Sequence, residues 1–211
     1  MTQVFLLSPA YCGGRRAGIL LKPESQASMA VRLREGSLTL GDAFSFMSGL
    51  YFRGKLTYAT AFGHAAAGKP PVLVITPTRG LQQPDLPVTA ELLHEFAGVD
   101  ISAGDPRYHV PLERDATALA AALPADARAV LLGSVATSKY VDLLARTFGD
   151  RLHFPPSFIG RGDMSRGGLL LRSARAAIEL DYAVLDPAAD RRGSRPPKLE
   201  RIRATPFPRV P

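Results

Sequence analysis

The chain is expected to fold as an α/β protein of three layers, with helices on both faces of a mainly parallel sheet of four to five strands. Three observations predict this class. Short unbroken apolar runs recur along the chain, at Val4-Phe5-Leu6-Leu7, Val72-Leu73-Val74-Ile75 and Ala129-Val130-Leu131-Leu132. Such runs suit strands buried on both faces, as interior parallel strands are. Segments with apolar residues at helical spacing lie between them. Each run also ends in polar, glycine-containing sequence, and open α/β sheets bind ligands beyond the carboxyl ends of their strands.

Length and charge divide the chain. Its 211 residues, 46% of them hydrophobic, suit one domain with a real core plus an extension. The expected division is a single α/β domain over residues 1–188 and a basic, proline-rich tail over 189–211. Net charge is +7, and residues 191–211 hold seven arginines and lysines against Glu200 alone, so six of the seven net charges sit in those last 21 residues. A segment of that composition cannot bury enough surface to fold alone. It is either solvated or a source of non-specific phosphate affinity. No apolar run approaches the roughly 20 residues of a membrane span, and the N-terminus lacks the basic region of a signal peptide. The cytoplasm is the expected compartment. The single cysteine, Cys12, excludes an internal disulfide and a cysteine-rich zinc site. His64, His94, His109 and His153 fall at no metal-binding spacing. Neither metal nor cofactor is expected.

Taken in order, the first strand stops at Ser8-Pro9, and Ala10-Tyr11-Cys12-Gly13-Gly14-Arg15-Arg16 forms a loop at its end. Two glycines followed by two arginines mark a candidate anion pocket, although neither a Walker loop nor a Gly-x-Gly-x-x-Gly turn is present. A plain strand-to-helix turn accounts for the same residues. Residues 26–34 read as a helix capped by Ser25. A second helix opens at Leu40, with Phe44, Met47, Leu50 and Tyr51 at helical spacing. Within Leu50-Tyr51-Phe52-Arg53-Gly54-Lys55 the aromatics are expected in the core. Arg53 and Lys55 are either phosphate contacts or part of a solvated face.

The second strand ends in Thr76-Pro77-Thr78-Arg79-Gly80-Leu81, where hydroxyls, an arginine and a glycine again sit just past a strand. Thr89 caps the next helix, which runs through Phe96. Residues 98–111 read as loop and 112–123 as helix. The third strand runs into Gly133-Ser134, followed by a helix over 135–148 with Ser134 or Thr137 as its cap. A glycine and a hydroxyl before a helix favour an anion, and they also suit simple capping. A short strand over 151–154 ends at Pro155-Pro156.

The next stretch, Phe158-Ile159-Gly160-Arg161-Gly162-Asp163-Met164-Ser165-Arg166-Gly167-Gly168, packs four glycines, two arginines, a carboxylate and a hydroxyl into eleven residues. Arginine forks two hydrogen bonds onto a phosphate or a base edge, and glycine lets backbone N–H groups approach an anion. Read as a loop, it offers Arg161, Gly162, Ser165 and Arg166 as phosphate contacts and Asp163 as the group that accepts a proton or orients a water. If the first three strands are parallel, Ser8, Gly13, Gly14, Arg15, Thr76, Thr78, Arg79 and Ser134 share one sheet edge with this loop.

Val130-Leu131-Leu132-Gly133 before a helix, then His153-Phe154-Pro155-Pro156-Ser157 after the next strand, resembles the end of a uracil-DNA glycosylase-type domain. The resemblance implies that fold, and it implies that His153 approaches a flipped nucleotide. Ser8-Pro9-Ala10-Tyr11 would stand in the first motif of that superfamily. No Asp precedes Pro9, so the carboxylate that activates water there is missing, and the spacing from His153 to Ser157 carries inserted residues. Leu7-Ser8, Gly49-Leu50-Tyr51-Phe52 and Ile75-Thr76-Pro77-Thr78-Arg79-Gly80-Leu81 are similar in order to small bacterial proteins that resemble the glycosylase-like domain of archaeosine synthase, over about residues 3–160.

Two functions remain open on this reading. One is an N-glycosidase acting on a modified base, with Arg15, Arg53, Arg79, Arg161 and Arg166 on phosphate or base, Asp163 at the sugar, and Tyr11 or Phe158 stacked on an extruded base. The other is a non-catalytic module that binds a nucleotide or nucleic acid with the same arginines.

Overall fold

The computed structural model describes residues 2–64, 68–101, 104–136, 139–188 and, beyond these, 193, 194, 196, 197 and 199. Its centre is β1 (Gln3–Leu7), flanked by β2 (Val72–Ile75) and β4 (Arg128–Leu132), with β5 (Leu152–Phe154) beyond β4. These four strands are parallel. Two-residue strands extend the edges, β3 (Leu81–Gln82) antiparallel to β2 and β6 (Ala183–Val184) antiparallel to β5. The sheet order is β3-β2-β1-β4-β5-β6. The α/β class and the parallel centre are as expected, and the two short edge strands exceed the four to five anticipated. β6 falls within Tyr182-Ala183-Val184-Leu185, which reads from sequence as a short strand or a helix end, whereas β3 was hidden because two residues carry no periodic signal.

Strand pleating sends alternate side chains to opposite faces. Phe5 and Leu7 of β1 enter one buried cluster, and Val4 and Leu6 enter the other. The first cluster is covered by α1 (Arg15–Leu21), α2 (Ser28–Arg34), α3 (Leu40–Ser48), α4 (Leu50–Phe62), α5 (Ala90–Ala97) and α8 (Asp163–Ala176). The second is covered by α6 (Pro106–Ala122) and α7 (Val141–Phe148). Among the described residues, no helix is long and apolar enough to cross a membrane.

Four element boundaries differ from the sequence reading. The segment expected as loop through Arg16 turns helical at Arg15. α6 begins at Pro106, inside the stretch read as loop. Asp105 accepts the Arg107 N–H at 2.9 Å, and proline is tolerated where no helical N–H is needed. α7 begins at Val141 rather than 135, so Ser134 caps no helix, and Thr137 lies outside the described residues. Ala27, not Ser25, occupies the N-cap of α2. Thr89 does cap α5, accepting the Leu92 N–H at 3.2 Å.

The largest revision concerns residues 158–168. Gly162 is the N-cap of α8, and everything from Asp163 onward is helix rather than loop. The glycines serve packing. A Cβ on Gly167 would stand 2.6 Å from the Leu50 carbonyl oxygen and 2.8 Å from the Tyr51 Cα, and one on Gly54 would stand 2.7 Å from the Gly167 carbonyl oxygen. α4 and α8 therefore touch backbone to backbone. Two residues of the expected tail, Gly193 and Ser194, lie against Ile159 and Gly160.

Candidate anion-binding cleft

β2 and β4 lie on opposite sides of β1, so the chain leaves the strand ends in diverging directions, and a crevice opens between them. The crevice is a cleft of about 1100 Å³. Ser8 and residues 9–17 form one wall, with Pro77 and residues 96–101 opposite. Ser134, Lys139 and Tyr140 enter from beyond β4, and Tyr51 and Asp163 from α4 and α8. Tyr11 stands 79% exposed at the mouth.

Beneath this cleft lies Lys55, 1% exposed. Its Nζ donates to the Ser8 carbonyl oxygen and lies 2.8 Å from Ser8 Oγ. The ammonium also sits 4.6 Å from the centre of the Tyr51 ring and 4.8 Å from that of Phe52. Burial pushes its pKa down from 10.5 to about 7; Asp163 opposes the shift and Arg166 adds to it. Arg166, 7% exposed, packs over the Tyr51 and Phe158 rings, donates from Nε to the Phe158 carbonyl at 3.2 Å, and holds Asp163 at 3.5 Å.

The Tyr51 hydroxyl is buried and makes no hydrogen bond of good geometry among the described residues, with the Arg166 guanidinium the charged group nearest in effect. Burial raises its pKa, against the pull of the nearby Arg166 charge. The Tyr140 hydroxyl donates to the Ser134 carbonyl at 3.0 Å and also meets the Ser8 hydroxyl; burial pushes its pKa up to about 12. Gly133 makes that meeting possible, because a Cβ there would stand 2.6 Å from the Tyr140 hydroxyl and 2.9 Å from Ser8 Cβ. Cys12, whose thiol is pushed up to about 12 by burial, is held in the unreactive protonated form.

Of the residues singled out from sequence, Ser8, Tyr11, Gly13, Gly14, Arg15, Ser134 and Asp163 line the cleft, Lys55 and Arg166 lie beneath it, and the others are placed elsewhere. Thr76 is fully buried and closes a turn, donating to the Gly80 carbonyl at 3.0 Å and accepting the Arg79 N–H at 3.0 Å. Thr78 and Arg79 both bind Glu95, Arg79 as a fork with bonds of 2.8 and 2.6 Å, beside a separate cavity of about 920 Å³. Arg161 bridges the turn to α8 through the Ser157 carbonyl at 2.9 Å and the Ser165 hydroxyl at 3.1 Å. Arg53 lies on the exposed side of α4, outside the cleft.

His153 sits in β5 opposite Val184, its Nδ1 3.1 Å from the Arg151 carbonyl oxygen, and does not line the cleft. Phe158 is buried and cannot stack on a ligand. The expected convergence of Arg15, Arg79 and Arg161 on one pocket is therefore not met: only Arg15 is there. The reason is that Arg79 is taken by Glu95 on α5 and Arg161 by Ser157 and Ser165 beside it.

Arg16, the second arginine of the candidate anion pocket, also lines the cleft, and Asp100, Lys139, Tyr51 and Tyr140 are cleft residues that the sequence did not mark. One signal was available for the floor. Tyr51, Lys55 and Tyr58 share one helix face by their spacing, which places Lys55 on the buried side rather than the solvated one.

Fold and site together define an α/β protein with a deep cleft at the switch point of its parallel sheet and an excess of cations in and under that cleft. No family model, curated protein or solved structure matches this chain.

Proposed function

We propose that the cleft binds a nucleotide unit, its phosphate held by cations and its base stacked at the mouth. The observation that carries this reading is the charge of the cleft. Arg15, Arg16 and Lys139 line it and Arg166 underlies it, against the carboxylates of Asp100 and Asp163. Cations buried under a cleft favour an anion within it, because the low dielectric strengthens the attraction. Tyr11 supplies an exposed aromatic face of the kind on which bases stack. The ligand class is the one implied by the resemblance to uracil-DNA glycosylase-type domains.

A single nucleotide unit is favoured over a long nucleic-acid track. Four arginines outside the cleft are taken by carboxylates: Arg32 by Asp42, Arg79 by Glu95, Arg107 by Asp105 and Arg114 by Asp115. They do not form a basic stripe of the sort that follows a phosphate backbone.

A second reading adds cleavage of the N-glycosidic bond in the same cleft, and the placement of Asp163 favours it. Its side chain is 70% exposed, faces the cleft and is steadied by Arg166. In that reading Asp163 orients a water toward the sugar carbon.

Equilibrium titration with nucleoside monophosphates tests both readings. Arg15→Ala is expected to weaken binding about tenfold, the worth of one charge-assisted hydrogen bond, whereas Arg79→Ala leaves it unchanged. Equal losses for the two variants would remove the cleft from the account. Base release, if measured, should vanish in Asp163→Asn with binding retained; release at the wild-type rate would take that role from Asp163.

A further inference from the structure

Ser8, Lys55 and Tyr51 form an arrangement that nucleotide binding alone does not use. Ser8 lines the cleft at the end of the central strand. Lys55 lies directly behind it, 1% exposed, with its Nζ fixed between the carbonyl and the hydroxyl of that one serine. Tyr51 lines the same cleft one helical turn from Lys55 and carries a buried hydroxyl that makes no hydrogen bond of good geometry. A buried hydroxyl left without a hydrogen bond is costly, and of the three such hydroxyls among the described residues only that of Tyr51 belongs to a cleft residue.

We infer that Ser8 is a nucleophile, Lys55 its general base and Tyr51 the donor to a developing oxyanion, so that the cleft cleaves a carboxylic ester carried on an anionic, nucleotide-like molecule. The substrate class rests on the nucleotide reading above; the nucleophile and base rest on the geometry alone.

The chemistry follows from the contacts. Neutral Lys55 donates one N–H to the Ser8 carbonyl and turns its lone pair to the Ser8 hydroxyl. As Ser8 Oγ forms a bond to the ester carbonyl carbon, its proton passes to Lys55 Nζ. The carbonyl oxygen becomes an oxyanion that accepts from the Tyr51 hydroxyl. The ester C–O bond then breaks, and Lys55 returns the proton to the departing alkoxide. Water repeats the sequence on the acyl-serine, releasing the acid and restoring Ser8. A serine–lysine pair is one of the recurring variants of the nucleophile–base arrangement. The arginines and Lys139 lining the cleft hold the anionic remainder of the substrate.

The charge on Lys55 is set from all sides. Tyr51 and Phe52 pack on it from its own helix, Ser8 from the strand, and Asp163 and Arg166 act on it from α8. Burial is the largest of these influences and keeps a neutral fraction available near pH 7.

The test is covalent labelling of the full chain with a small dialkyl fluorophosphate. Ser8 Oγ bonds to phosphorus, fluoride leaves, and the proton passes through Lys55 to solvent. Peptide mass mapping should place the adduct on Ser8, with a rate that rises through about pH 7. Ser8→Ala should abolish the adduct and Lys55→Met suppress it. Tyr51→Phe, which removes a hydroxyl that makes no hydrogen bond of good geometry in the fold, should fold normally and slow labelling about 100-fold.

An unmodified Ser8, or a labelling rate that is flat from pH 6 to about 8.5 and unchanged in Tyr51→Phe, overturns the inference even if Lys55→Met fails to fold. A nucleoside monophosphate should protect Ser8. Labelling at Ser8 without protection would keep the dyad and count against the nucleotide reading. Nucleotide binding at the cleft with an inert Ser8 would sink the dyad alone.

Discussion

Gly167→Ala is expected to lower stability by about 3 kcal/mol or more, a large part of the roughly 5–15 kcal/mol that holds a domain together. The added methyl would meet the Leu50 carbonyl oxygen at 2.6 Å, the Leu50 carbonyl carbon at 2.8 Å and the Tyr51 Cα at 2.8 Å. All three are backbone atoms of α4, so no side chain can swing aside, and relief requires α4 and α8 to separate. The effect reaches the site, because α4 carries Tyr51 and Lys55 while α8 carries Asp163 and Arg166. Gly18→Ala is the control: a Cβ there meets nothing within 4 Å, and helix propensity favours the change by up to about 1 kcal/mol. Urea denaturation of the two variants should move in opposite directions. A Gly167→Ala midpoint equal to the wild type would show that the two helices do not pack as described.

The second large effect is a pH dependence of stability that belongs to Lys55. Its pKa falls from 10.5 in the unfolded chain to about 7 in the fold. Below pH 7 both states hold the proton, and the cost of a buried ammonium is fully present. Between pH 7 and about 9.5 the unfolded chain keeps its proton while the fold has lost it, so this group makes stability rise with pH. Over that interval the rise amounts to roughly 3 kcal/mol. Above about pH 10 the buried tyrosines, whose pKa values are raised in the fold, act in the opposite sense and end the window. Lys55→Met should abolish the rise whatever it does to stability at any single pH. Parallel slopes for wild type and variant between pH 7 and 9.5 would show that Lys55 titrates as an exposed lysine.

Much of the architecture was legible in the sequence because β1, β2 and β4 are unbroken apolar runs, and only interior parallel strands need such runs. The position of the cleft followed from the same fact, since Ser8, Gly13, Gly14, Arg15 and Ser134 stand at the ends of those strands. The fate of individual cations was not legible. Arg79 and Arg161 sit in sequence surroundings as suggestive as that of Arg15, but Glu95, Ser157 and Ser165 lie close enough to occupy them. Which acceptor an arginine takes depends on distances that only the folded chain defines.

Residues 163–168 misled for a related reason. Gly167 reads as a loop former in isolation, and its role as the contact point of two helices depends on Gly54, more than a hundred residues away. Tyr140 escaped notice because its place beside Ser8 is created by the missing side chain of Gly133 on a neighbouring strand end.

An anionic nucleotide should settle at the ends of the parallel strands, and amide chemical-shift mapping of the full chain during titration with a nucleoside monophosphate reads that directly. The expected shifts fall on Tyr11, Gly13, Gly14, Arg15 and Ser134, around the ends of β1 and β4. Shifts confined to Arg79, Glu95, Arg107 and Arg114 around the second cavity, or none at saturating nucleotide, would contradict it.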